Sequence, residues 1–306
     1  MTDNQQILPH LQRPEGGVLV LDKPQGPSSH QVAAWAQKIL GVPVGHGGTL
    51  DPMVSGVLPL MTGRAAKLAP YLLSHDKEYV TVLRLHGDVE TEDVKRIADE
   101  FIGRNYQRPP RKSAVKRALR IRTIYNIELL DHQDRLVLLR VSCEAGTYIR
   151  SLCHHMGLAL GVDGHMEELR RTRSGTFSEK DAHTLHDLKD AIVSAHEGNT
   201  AALENMVLPS LDLVTELPKV HIRTTATDAL CHGASLAGVG VLTQDEFKKG
   251  KDVAVISEDG VFVCTGTALK DSEKIPPGQA GLIVKPKRVL LSPGIYAKGW
   301  TSGRKD

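Results

Sequence analysis

Around residues 209–218 the apolar pattern of this chain changes period, and that change constrains the fold more than any other feature. Upstream, strand-like and helix-like stretches alternate irregularly. Residues 18–21 form a short apolar strand. Val32, Ala36, Ile39 and Leu40 recur at helical spacing between the capping candidates Ser28 and Ser29 and the stop Gly41. Further helices are predicted over 65–73, 91–102, 148–160 and 185–195, and strands near 57–60, 77–85 and 136–141, the last after a turn at Asp134. Leu119, Ile121, Tyr125, Ile127 and Leu129 fall on alternate positions, another strand signal. Downstream, short strands at 220–222, 253–256, 261–267 and 282–284 are split by Gly and Pro, the pattern of a small β-barrel. The expected fold class is therefore α+β. A mixed, largely antiparallel sheet with flanking helices occupies 18–213, and a β-barrel occupies 214–299. Residues 209–218 are the expected linker, 1–17 a loose extension and 300–306 a tail.

Several function classes drop out on composition. No run of about 18 apolar residues exists, so no membrane span is expected, and the first 17 residues lack the apolar stretch of a signal peptide. The four cysteines (Cys143, Cys153, Cys231, Cys264) include no C-x-x-C pair. They read as reduced, buried thiols of a cytoplasmic protein rather than zinc ligands. With 4% aromatic residues, a broad aromatic platform for stacking bases is not expected. The net charge of +2 does not by itself point to nucleic acid, but its distribution does. Arg104, Arg108, Arg111, Lys112, Lys116, Arg117, Arg120 and Arg122 form a run that no acidic residue interrupts, and Pro109-Pro110 excludes a regular helix within it. Arg170, Arg171 and Arg173 form a second cluster. A solvated basic face is the ordinary reading of either.

The loop Gly45-His46-Gly47-Gly48-Thr49-Leu50-Asp51-Pro52 is the best candidate for chemistry. Its glycines let the backbone turn where a β-carbon would clash, and Pro52 restricts Asp51 to an extended backbone. A carboxylate is thus held on a stiff segment after a flexible turn. Taken alone, this is an ordinary Asp-Pro turn.

The loop also resembles the catalytic motif of the TruB family of RNA pseudouridine synthases. Four further segments resemble that family's motifs, in family order: Leu21-Asp22-Lys23-Pro24-Gln25-Gly26-Pro27-Ser28-Ser29-His30, Lys77-Glu78-Tyr79, Gly146-Thr147-Tyr148-Ile149-Arg150 and Leu169-Arg170-Arg171-Thr172-Arg173-Ser174-Gly175. Residues 106–117 and 154–161 look like the dyskerin-type branch, the catalytic subunits of H/ACA guide-RNA particles, in the compact archaeal form without lysine-rich tails. The C-terminal barrel, with Cys231-His232-Gly233-Ala234 and Gly238, looks like a PUA domain, an RNA-binding module.

The resemblance implies that a uridine within rRNA or tRNA is isomerised. The bond from ribose C1′ to N1 breaks, the base turns, and C5 bonds to the same carbon. It implies catalytic roles for Asp51, Tyr79 and Arg150. Asp51 either adds covalently to the substrate or removes a sugar proton, and both routes stay open. Arg150 would keep Asp51 ionised, and Tyr79 would contact the target base. His46 would support the flipped nucleotide, Lys23 would brace the loop at the substrate and Leu169 would wall the pocket. Arg108, Arg111, Lys112, Lys116 and Arg117 would clamp RNA. No cofactor or metal is implied. Implied partners are an H/ACA guide RNA, a small zinc-ribbon-type H/ACA protein, the glycine–arginine-rich H/ACA protein and the kink-turn-binding protein. A guide-independent tRNA enzyme shares the same catalytic residues and is the first rival. A non-catalytic RNA-binding scaffold is the second. A nucleotide-binding glycine loop fits poorly, because 45–51 is neither a Walker A nor a dinucleotide sequence.

Overall fold

The computed structural model describes residues 13–108 and 118–297. Ten strands build the first sheet: β1 (Gly17–Lys23), β2 (Val44–His46), β3 (Ser55–Thr62), β4 (Lys77–Leu85), β5 (Gly103–Gln107), β6 (Arg120–Gln133), β7 (Leu136–Cys143), β8 (Gly164–Ser174), β9 (Phe177–Ser178) and β10 (Val207–Pro209). Their order is β10-β1-β3-β8-β4-β7-β6-β5, with β2 on β3 and β9 on β8. Only β3 and β8 pair in parallel, so the sheet is largely antiparallel, as expected.

The helices of this part are α1 (Ser29–Leu40), α2 (Ala69–Ser74), α3 (Thr91–Glu100), α4 (Ile149–Ala159), α5 (Leu185–His196) and α6 (Ala201–Met206). Ser28 and Gln31 form a reciprocal cap at the start of α1, and Gly41 closes its end. Helices α1, α3, α4, α5 and α6 cover one face of the sheet, where Val32, Ala36, Val94, Ile97, Leu152, Met156, Leu188, Ile192 and Leu203 join one apolar cluster. Strand β1 is buried on both faces. Leu19 and Leu21 face that cluster, whereas Val18 and Val20 face a second one shared with the C-terminal part. The period-2 alternation of a strand produces this split.

The C-terminal sheet contains β11 (Lys219–Ile222), β12 (Leu236–Ala237), β13 (Val241–Gln244), β14 (Asp252–Ser257), β15 (Phe262–Ala268) and β16 (Leu282–Val289), with α7 (Thr224–Cys231) beside it. The order β12-β16-β15-β14-β11-β13 leaves two ends, so the expected barrel is nearly closed. Its core gathers Val220, Ile222, Val253, Val255, Val263 and Ile283.

Four local expectations change. The alternating set over 119–129 does not stay on one face. A bulge between Ile124 and Asn126 buries Ile124 and leaves Tyr125 exposed. Residues 65–73 are a 3-10 turn (Gly63–Leu68) running into α2 rather than one helix. The span 209–218 is packed: Ser210–Val214 is a 3-10 turn whose Leu213 and Val214 are buried in the shared cluster. Strand β8 was not anticipated, because Glu167, Glu168, Arg170, Arg171 and Arg173 hide its alternation.

Helix α4 lies so close to the start of β8 that a β-carbon at Gly157 would sit 2.4 Å from the Gly164 nitrogen. Gly157→Ala is therefore expected to lower unfolding stability by about 1–3 kcal/mol, measured by denaturant titration. An unchanged midpoint would mean that the helix moves away freely.

Candidate active site

Asp51 sits between β2 and β3, and four separate attachments fix its neighbours. Ser29, fully buried at the start of α1, receives the Leu50 amide (2.8 Å) and donates to the Leu50 carbonyl (3.0 Å). Lys23 is also fully enclosed. Its ammonium donates to the carbonyls of Pro24 (2.8 Å), Pro52 (3.3 Å) and Val54 (2.7 Å). The Gly26 amide donates to the same Pro52 carbonyl (2.9 Å). Arg171 supplies the fourth attachment. It is 1% exposed, and its guanidinium donates to the carbonyls of Val57 (2.8 Å) and Gly48 (3.0 Å). The segment 21–30 thus acts by gripping 50–54.

Arg171 reaches the loop because β3 and β8 meet there. Gly56 pairs with Arg171 in the parallel joint at φ +101, and a β-carbon on it would lie 2.2 Å from the Arg171 carbonyl oxygen. On its other side, β8 pairs Arg171 with Tyr79 across a bulge between Glu78 and Tyr79. The Tyr79 phenol and the Arg171 guanidinium lie close enough to act on each other electrostatically. Burial pushes the Tyr79 phenol up, and Arg171 opposes that shift. The phenol therefore stays protonated at neutral pH and offers a donor. The nearby Asp51 charge pushes in the same direction as burial.

Arg150 arrives from the opposite side. It occupies the first turn of α4 and donates from Nη2 to Asp51 Oδ2 at 2.6 Å, with both side chains about half exposed (44% and 56%). Buried Gln107, at the end of β5, secures the start of that helix. It accepts from the Tyr148 amide (2.9 Å) and donates to the Tyr148 carbonyl (3.4 Å). An exposed ion pair contributes little to stability, but covering it with a substrate strips water and strengthens it.

His46, on β2, is half-buried and stacks edge-on against His30 with ring centres 4.6 Å apart. Burial first, then His30 and Arg171, hold its pKa below the usual histidine range, so it is neutral at pH 7. The structure thus pairs Asp51 with Arg150 and places both Tyr79 and His46 within reach of the Arg171 charge.

Other expected residues fall elsewhere. Lys23 donates to three main-chain carbonyls directly behind the loop and so braces it. Leu169 is buried in the core cluster of the sheet. Arg108 is exposed beyond β5, while Arg111, Lys112, Lys116 and Arg117 lie outside the described residues. The cluster Arg170, Arg171 and Arg173 is not a free basic patch: Arg170 bonds Asp22 (2.9 and 3.0 Å) and Glu179 (2.5 Å), and Arg171 is interior. Arg122 likewise pairs with Glu144 at 3.0 Å. Ser29, Gln107 and Arg171 are the positioning residues that sequence reasoning missed, and polar residues at capping and strand positions give no local sign of such a role.

Buried Lys77 lies beneath the loop. Its ammonium donates to the carbonyls of Leu72 (3.2 Å) and His75. Burial first, then the Arg171 charge, lower its pKa from 10.5 to about 8. A folded-state pKa below the unfolded one means that the unfolded chain binds more protons between about pH 8 and 10.5, so this group makes stability rise with pH across that window. The stability difference between wild type and Lys77→Met should shift toward wild type by roughly 3 kcal/mol from pH 7.5 to 10.5. A difference that is flat with pH would show that Lys77 titrates normally.

Residues 37–149 match the N-terminal domain of TruB family pseudouridylate synthases, 150–215 the C-terminal domain of tRNA pseudouridylate synthase B, and 218–290 the PUA domain. A probable tRNA pseudouridine synthase B of Methanosarcina barkeri is 47% identical over 96% of this chain and 88% of its own length. The protein of the same name from Methanopyrus kandleri is 48% identical over 93% and 85%. Among solved structures, an H/ACA ribonucleoprotein bound to a substrate RNA containing 2′-deoxyuridine contains a chain with TM-score 0.85 and 42% identity, covering 97% of this chain and 90% of that one. The archaeal box H/ACA Nop10–Cbf5 complex gives 0.84 and 41%, over 97% and 92%.

Proposed function

This chain belongs to the TruB family of pseudouridine synthases, and from that premise we propose that Asp51 is its reacting carboxylate, with Arg150 and Tyr79 completing the catalytic group. The Asp51–Arg150 contact at 2.6 Å, on a loop clamped at residues 48, 50, 52 and 54, carries this reading. The target uridine leaves the helical stack to reach Asp51, at a cost of a few kcal/mol. Neutral His46 flanks the flipped nucleotide, and the Tyr79 ring lies along the base with its hydroxyl near the Arg171 charge. RNA covers the exposed ion pair, and Arg150 then keeps Asp51 ionised where desolvation alone would neutralise it. Isomerisation consumes neither water nor an external reactant, so the reaction calls for no cofactor.

The same reading divides the chain into a catalytic unit over 18–213 and a PUA unit over 214–299, preceded by an extension (1–17) and followed by a tail (300–306). It makes the chain the catalytic subunit of an H/ACA guide-RNA particle that acts on rRNA or tRNA. The small zinc-ribbon-type protein, the glycine–arginine-rich protein and the kink-turn-binding protein would be its partners. Likeness to chains from H/ACA complexes at 41–42% identity over 97% of the sequence supports this. A cytoplasmic location fits the free thiols of Cys143, Cys153, Cys231 and Cys264. No helix among the described residues is long and apolar enough to cross a membrane. The names of the archaeal relatives favour a second reading, direct modification of tRNA without a guide. The basic run around Arg108, Arg111, Lys112, Lys116 and Arg117 is the proposed RNA clamp. Each phosphate it neutralises adds about 0.7 to the salt dependence of single-strand binding.

Two radiolabelled substrates separate these readings: bare tRNA, and an rRNA fragment supplied with guide RNA and partner proteins. Guide-dependent conversion supports the particle, and conversion of bare tRNA alone supports the stand-alone enzyme. In either assay Asp51→Asn should abolish turnover. Arg150→Ala should slow single-turnover chemistry about a hundredfold or more while RNA affinity holds, and Tyr79→Phe should slow it roughly a hundredfold. Near-normal turnover in Asp51→Asn would remove the carboxylate from the mechanism.

A further inference from the structure

Residues 63–74, the 3-10 turn and α2, stand between the C-terminal barrel and the Asp51 loop. Their outer side carries the barrel. Arg64 donates to the Leu291 carbonyl (2.9 Å), and Lys67 donates to the Val289 carbonyl (2.5 Å). The Tyr71 hydroxyl donates to Asp252 Oδ2 (2.7 Å). Asp252 also accepts from Lys287 (2.7 Å) and Thr267 (3.2 Å), so the carboxylate is fixed within its own sheet before it meets Tyr71. Burial, aided by Asp252, pushes the Tyr71 phenol up to about 12, so it stays a donor through the neutral range. Leu68 and Leu72 complete the seam with Ala254, Ile256, Phe262 and Leu290 in one apolar cluster.

The inner side of the same segment is the wall behind the loop. A β-carbon at Gly47 would lie 2.1 Å from Leu72 Cδ2, and one at Gly45 would lie 3.3 Å from Ala66 Cβ. The Leu72 carbonyl is pinned by Lys77 (3.2 Å). No slack separates Leu72 from the turn that leads through Gly48 to Asp51. Close-packed interiors pass displacement on rather than absorbing it.

We propose that Tyr71 and Leu72 are positioning residues that couple the seating of the barrel to the placement of Asp51. The inference rests on Asp51 being the reacting carboxylate. An RNA that grips the barrel and the catalytic unit together would then act on chemistry through this wedge, as well as on affinity.

The test uses the full chain with whichever of the two RNAs wild type converts, at saturating RNA under single-turnover conditions, and with RNA affinity and melting measured in parallel. Tyr71→Phe and Asp252→Asn should each reduce the rate constant several-fold, up to roughly tenfold. RNA affinity should stay within twofold to threefold of wild type, on the order of ordinary surface substitutions. The double variant should be no slower than the worse single one, because Asp252→Asn weakens the bond that Tyr71→Phe removes. Gly47→Ala should be slower still, and adding Leu72→Ala should restore part of the rate by making room for the new methyl group. Wild-type rates in folded Tyr71→Phe and Asp252→Asn would overturn the coupling. So would losses confined to RNA affinity, or a Gly47→Ala defect that Leu72→Ala leaves untouched. Asp51→Asn runs beside them. An active Asp51→Asn defeats the catalytic reading itself, whereas an inactive one beside a wild-type-like Tyr71→Phe defeats only the coupling.

Discussion

The burial of one guanidinium underlies the rest of this site. Arg171 lies inside the sheet, 1% exposed, and among the described residues its hydrogen bonds go to the carbonyls of Gly48 and Val57 rather than to a carboxylate, with the Tyr79 phenol close enough to act on its charge. Burying a charge is costly unless its donors are satisfied. The fold meets that cost by bringing the glycine turn before Asp51 and the start of β3 to the same point, with the start of β4 alongside. If either bonded piece withdrew, a buried charge would lose a partner. The requirement therefore also fixes the relative placement of the loop and the start of β3.

Around that centre, the loop is held by main-chain contacts that leave Asp51 itself free. Ser29 takes both polar groups of Leu50, and Lys23 spends its ammonium on 24, 52 and 54. The carboxylate projects outward, where Arg150 meets it. The division of labour is physical. Interior cations meet carbonyls and set geometry, whereas the exposed cation meets the carboxylate that we propose reacts, and that pair would strengthen where RNA excludes water.

Much of this was legible in the sequence, and the reasons for the rest are specific. Helix α1 and strand β4 were readable because caps and apolar spacing are local properties. Asp51, Tyr79 and Arg150 were readable because their motifs are distinctive strings. Strand β8 was not, because charged residues occupy its buried and exposed positions alike. Arg171 looked like one member of a basic patch, since nothing local distinguishes an interior arginine from its partly exposed neighbours Arg170 and Arg173. The apolar alternation in β6 misled because a bulge near Tyr125 shifts the inward face by one residue. Gln107 went unnoticed because its partner, Tyr148, lies far along the chain.

The most direct test of this account is Arg171→Met, a substitution that roughly keeps side-chain bulk and removes every donor. The measurement is the single-turnover rate constant at saturating RNA, with RNA affinity and melting temperature taken on the same preparation. Misplacement of a reacting group by about an ångström costs on the order of a hundredfold. The account predicts a loss of that size in a chain that still folds and binds RNA with near-wild-type affinity. A folded Arg171→Met that converts uridine at the wild-type rate would contradict it.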